Sequence, residues 1–120
     1  MPLLEDKSNV EIQLMKDWAR VRGYVDEHFE NKPDIQSCLF LIGVNELGQI
    51  REFEKEEKQD LMHIGMCTLL LGDYFELEKI DEDGWPHFIE LRPMESMFIK
   101  TQETFLKQRI VKYFNEKVFD

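Results

Sequence analysis

The chain has 120 residues and a formal net charge of −10, a size that points to one domain over residues 1–120 burying roughly two-thirds of its unfolded surface. It is 42% hydrophobic with nine Phe, which excludes a disordered chain despite the charge. That charge also disfavours nucleic acid and anionic membranes, whose binding depends largely on Lys and Arg, and leaves basic proteins or cations as the sensible partners.

The longest apolar run, Cys38 to Val44, falls far short of the roughly 20 residues that cross a bilayer. Met1-Pro2-Leu3-Leu4-Glu5-Asp6 has no basic start and no long apolar stretch, so no signal peptide is read and a cytoplasmic location is expected. Cys38 and Cys67 sit in apolar segments outside any Cys-x-x-Cys pair, as reduced core residues do.

A first helix is expected from Ser8, where Ser8-Asn9-Val10-Glu11 matches a capping box. Val10, Leu14, Trp18, Val21, Val25 and Phe29 recur at helical spacing as one apolar stripe, Gly23 weakens the helix locally, and Asn31 with Pro33 forms a stop. A second helix is expected from Pro33 to Leu47. Gly48 follows it at the position where positive φ is needed. Its middle is apolar on all sides, as a buried strand would also be, and the helix punctuation at its flanks decides for helix.

A third helix is expected over Glu54–Leu71, with Glu54, Glu56 and Glu57 in a first turn that favours acids. It is apolar nearly all round from Leu61 onward, which marks it as central. Tyr74–Ile80 and Trp85–Leu91 read as two strands joined by Asp81-Glu82-Asp83-Gly84. Pro86 must then sit at a strand start or an open edge, because it cannot donate to a ladder. Pro93 breaks the chain. A last helix over Thr101–Val118 carries Leu106, Ile110, Tyr113, Phe114 and Val118 on its apolar face, with Phe105 off it. The fold class expected is α+β and helix-dominated: about four helices packed with one antiparallel hairpin, which is too small to stand alone.

Between Asp73 and Glu95 lie eight acids and two bases, and between Lys100 and Asp120 five bases and three acids. Internal pairing of the hairpin with the last helix explains this asymmetry most simply. Self-association of the two regions is the other reading.

The strings Leu41-Ile42-Gly43-Val44-Asn45-Glu46-Leu47-Gly48, Asp60-Leu61-Met62-His63-Ile64 and Asp83-Gly84-Trp85-Pro86-His87 resemble a group of small bacterial proteins of unknown function. The resemblance spans roughly Cys38 to Phe114. It implies a bacterial cytosolic origin and carries over no activity, cofactor or catalytic residue.

Three constellations are candidates for chemistry. At about 100° per residue, Glu56, Asp60, His63 and Cys67 share a stripe about 60° wide on the third helix. Asp60-x-x-His63 has the spacing by which helices present two metal ligands, and His87 is a candidate ligand across space. The alternative is that Glu56 and Asp60 are solvated first-turn acids, His63 is an edge residue and Cys67 is core. Asp81-x-Asp83-Gly84 with Glu90 matches part of a calcium loop, but Lys79 occupies the first-ligand position, which favours an acidic hairpin turn. Trp85, Pro86 and His87 beside Asp81 and Asp83 form a candidate contact patch, against the alternative that Trp85 folds back onto the core.

No phosphate-binding Gly-rich loop and no nucleophile elbow is present. Ser8, Ser37 and Ser96 lack an activation signature. A His63–Cys67 thiolate pair is disfavoured by the apolar setting of Cys67. Met62, Met66, Met94 and Met97 read as gap-filling core residues. The function expected is that of a non-catalytic domain acting through protein contacts on its hairpin and acidic surface, with an unknown protein or a second copy of the chain as partner and no cofactor. The alternative is a metal-binding protein or metal-dependent hydrolase using a divalent cation at Asp60, His63 and His87, with Glu56 as ligand or base.

Overall fold

A computed structural model describes residues 3–29, 32–93 and 99–119. The elements are α1 (Leu3–His28), α2 (Ile35–Leu47), α3 (Lys55–Leu69), β1 (Phe75–Ile80), β2 (Pro86–Glu90) and α4 (Ile99–Lys117). The fold is α+β and helix-dominated, with one antiparallel two-stranded hairpin.

α1 begins at Leu3, so Ser8 lies inside the helix and does not cap it. Leu3 to Lys7 contains no helix breaker, and Glu5 and Asp6 suit the positive end of the macrodipole. The predicted stripe is only partly buried. Val21 and Val25 are fully enclosed, and Leu14 and Trp18 pack against the core, but Val10 is 64% exposed. Residues 9–13 are exposed on every side. Periodicity identified the face of the helix, but among the described residues nothing covers its first part. Phe29 is 37% exposed, with its ring near Tyr24. Asn31 lies outside the described residues.

α2 is a helix, as its punctuation predicted. Asp34 caps it by accepting from the Ser37 N–H at 2.8 Å, and Gly48 closes it at φ +73°. α3 starts one residue later than expected, with Glu54 as the N-cap. Glu57 reaches back to the Glu54 N–H at 2.9 Å and holds Arg51 at 2.7 Å. Those bonds, the Arg51 guanidinium first, hold the Glu57 carboxyl down to about 2.

α2 and α3 meet backbone to backbone. A Cβ added at Gly43 would collide with the Leu61 carbonyl, and one added at Gly65 would collide with the Leu39 carbonyl. The two contacts pair 39 with 65 and 43 with 61, which sets the helices antiparallel with no side chain between them at either point. Around this seam lies a core of Cys38, Leu39, Ile42, Cys67, Leu69 and Leu70, continued by Val21 and Val25 of α1 and by Leu106, Ile110, Val111, Tyr113 and Phe114 of α4. Met62 and Met66 pack against it as expected, while Met94, Met97 and Ser96 lie outside the described residues. Phe105 also packs on this core, under the Arg109 guanidinium, although it falls off the apolar face.

Cys38 and Cys67 are both free and fully buried, and burial pushes each thiol up to about 12. Among the described residues, Tyr113 and Arg109 tie α4 to its neighbours through polar contacts. The Tyr113 hydroxyl donates to Glu46 and accepts from Asn45, both at 2.6 Å. Burial first, and then Glu46, pushes that phenol above its ordinary value. Arg109 donates to the Leu69 carbonyl at the end of α3 and pairs with Asp73 at 2.6 Å. This last pair joins the acidic region to α4, at Asp73 ahead of the hairpin rather than in its strands.

Candidate functional site

The hairpin packs against α3, and Trp85 beside it also reaches Leu47 at the end of α2. Its register pairs Phe75 with Glu90, Glu76 with Ile89 and Leu77 with Phe88. A bulge at Glu78 then shifts the pairing to Lys79 with His87 and Ile80 with Pro86. Pro86 stands at the strand start, where its missing N–H costs least. Gly84 takes φ +90° in the turn.

Asp81 organises that turn. Its Oδ1 accepts from the N–H groups of Asp83 at 2.9 Å and Trp85 at 3.0 Å, and its Oδ2 lies 2.9 Å from His87 Nε2. The His87 bond, then these backbone bonds, hold the Asp81 carboxyl below its ordinary range. The segment is an acidic hairpin turn, with Lys79 in β1 and Glu90 in β2 on either side of it. The turn is also held from the α2–α3 loop, because Gln49 Nε2 donates to the Asp83 carbonyl at 2.9 Å.

Between α3 and the hairpin runs an open groove of about 360 Å³, lined by Asp60, His63, Ile64, Glu78, Asp81, Trp85, Pro86, His87 and Phe88. It brings together Asp60, His63 and His87 of the metal candidate with Asp81, Trp85 and Pro86 of the contact patch, to which His87 also belongs. Glu56 is exposed on α3 and does not line the groove, and Asp83 lies at the turn tip outside it. Trp85 is half-buried and folds back onto Leu47, Leu61 and Ile64. It is thus both a structural ring and a wall of the groove.

Each histidine of the groove already has a neighbour. His63 Nε2 lies 3.4 Å from Cys67 Sγ, with its ring edge-on to Phe75, and His87 lies against Asp81. The raised Cys67 thiol stays protonated, so this contact is not an activated thiolate. Among the described residues no three His, Cys, Asp or Glu side chains stand close enough to hold a metal ion.

Sequence reasoning missed Glu78, Phe88 and Gln49. Glu78 reaches the groove through the bulge, and nothing in the local pattern marks a bulge. Phe88 was legible as a strand residue but not as a groove wall.

No helix among the described residues is long and apolar enough to cross a membrane. Comparison with family models, with characterised proteins and with solved structures finds no match to the chain.

Proposed function

We propose that this chain is a non-catalytic contact domain of the bacterial cytoplasm that binds a basic segment of another protein across its hairpin and the adjoining groove. One observation carries the reading. The groove gathers Asp60, Glu78 and Asp81 around Trp85, Pro86 and Phe88, with no Lys or Arg among its lining residues. The acidic strands flank it, and Leu77, Ile80, Ile89 and Leu91 are exposed beside them. Acidic and apolar groups together suit a partner that is both basic and apolar, with charge setting the encounter rate and specificity. A second copy of the chain is a poorer partner, because it would bring Glu76, Glu78, Glu82 and Glu90 against their equals at a net charge of −10 per chain.

The test titrates the full chain into two fluorescent peptides of equal length, one alternating arginine with leucine and the other glutamate with leucine. The arginine peptide is expected to bind, to weaken as salt rises and to weaken again in Glu78→Gln. Equal binding of the two peptides, or binding of neither, overturns the reading. A dimer seen by light scattering at low micromolar concentration would put the second copy in the partner's place.

A second reading draws on the same groove, since Asp60, His63 and His87 line it together. A divalent cation held there would make the chain a metal-binding protein or a metal-dependent hydrolase, in which the ion polarises substrate or activates water. Elemental mass spectrometry on protein purified without chelators decides it. Near-stoichiometric zinc, iron or manganese that is lost in His63→Ala would put this reading first. Protein that neither carries nor takes up metal would remove it.

A further inference from the structure

We infer that the groove between α3 and the hairpin receives one guanidinium side chain, an arginine of the basic partner, as the anchor of the contact. This rests on the partner reading above and adds the residue type and the place where it enters.

The carboxylates of the groove are not equivalent. Asp81 is committed to the hairpin, with both oxygens taken by Asp83, Trp85 and His87. Asp60 and Glu78 also border the groove, but they pair with none of the described residues. They stand on different elements, one on α3 and one at the bulge of β1, so a cation between them would bridge helix and hairpin. The walls beside them are flat rings, Trp85, Phe88 and the two histidines, with the Pro86 ring among them.

A guanidinium suits this combination better than an ammonium. It is planar and weakly hydrated, stacks on an aromatic face, and presents a fork of donors to carboxylates. Lysine offers a compact, strongly hydrated charge that gains little from a ring wall. The groove is open and has room for the whole side chain with water around it, so the anchor fixes register without requiring a deep pocket.

The experiment is an NMR titration of the full chain with three capped amino acids: N-acetyl-arginine amide, its lysine counterpart and the neutral isostere built on citrulline. The arginine compound is expected to shift the backbone signals of Asp60 and Glu78 and the indole N–H of Trp85. The lysine compound should bind more weakly, and the citrulline compound should leave these signals in place. Asp60→Asn and Glu78→Gln should each weaken arginine binding by roughly two- to five-fold, the range of partly exposed charge pairs. Neither side chain supports the fold through a bond, so both variants should fold. Equal responses to arginine and citrulline, or to arginine and lysine, overturn the inference. If the arginine–leucine peptide binds but shifts signals elsewhere, the anchor is wrong and the partner reading survives. If that peptide does not bind at all, the partner reading has failed with it.

Discussion

The two sides of α3 are built on opposite principles. On one side it touches α2 with nothing between the backbones at Gly43 and Gly65, so the helices lock at a single distance and register. Toward the hairpin it makes contact through side chains of uneven length, with Trp85 inserted against Leu61 and Ile64 and charged groups standing open around it. The first contact is dry, short and intolerant of volume, as close-packed interiors are. The second leaves a groove. The same helix therefore serves as a rigid reference toward α2 and as the wall of an open groove toward the hairpin, and residues two to four positions apart in sequence answer to different constraints.

Substitutions can break this contrast in graded steps. The largest effect belongs to the seam. Gly43→Ala or Gly65→Ala forces a methyl group against backbone that has no rotamer with which to yield, and should cost about 3 kcal/mol or more in urea unfolding. If either variant is neutral, the helices do not approach as described. Next comes Trp85→Ala, which removes a half-buried ring from the hairpin side and should cost about 2 kcal/mol. Amide exchange should then speed up in β1 and β2 while α2 and α3 stay protected, and a uniform loss of protection would mean that the two sides are not independent.

Smaller still are the carboxylates held down by their partners. Glu57 and Asp81 both titrate below their unfolded values, about 4.3 and 3.9, Glu57 at about 2. In that window the folded chain binds fewer protons than the unfolded one, so their contributions are present above pH ~4 and fade as pH falls toward 2. The urea midpoint of the parent should drop over that interval, and Glu57→Gln should flatten the drop. A parent midpoint that rises as acid is added would show that the sign is wrong. The smallest effect stabilises. A Cβ at Gly23 meets nothing within 4 Å, so Gly23→Ala should gain about 0.5–1 kcal/mol, since alanine is the better helix former.

Much of the fold was legible because its signals are local. Asp34 and Gly48 bracket α2, and Gly84 with Asp81 makes the turn between two alternating strands. What escaped was contact between elements. In the sequence Gly43 and Gly65 look like weak points in helices, and only the antiparallel match of 43 with 61 and 39 with 65 makes them the tightest contact described. Val10 keeps the period of its stripe, but a period cannot say where the partner stops. The candidate site was legible in halves. Helical spacing aligned Asp60 with His63, and the turn grouped Asp81 with Trp85 and His87. His87 was already joined to Asp60 and His63 across space, but that Trp85 and Pro86 share that groove, with Glu78 reaching it through a bulge and Glu56 left out, depends on how the hairpin docks.

The bulge has one more consequence. A two-stranded ribbon presents two open edges, and an exposed edge is a template on which further chains stack into fibres. Here the Glu78 bulge interrupts the regular spacing of β1, and Pro86 removes a donor from the start of β2. Glu76, Glu78 and Lys79 stand along β1, and Glu90 ends β2. A third strand arriving at the turn end would find a broken hydrogen-bond rhythm and a like charge, so the ribbon should remain two strands wide in concentrated solution and resist seeding.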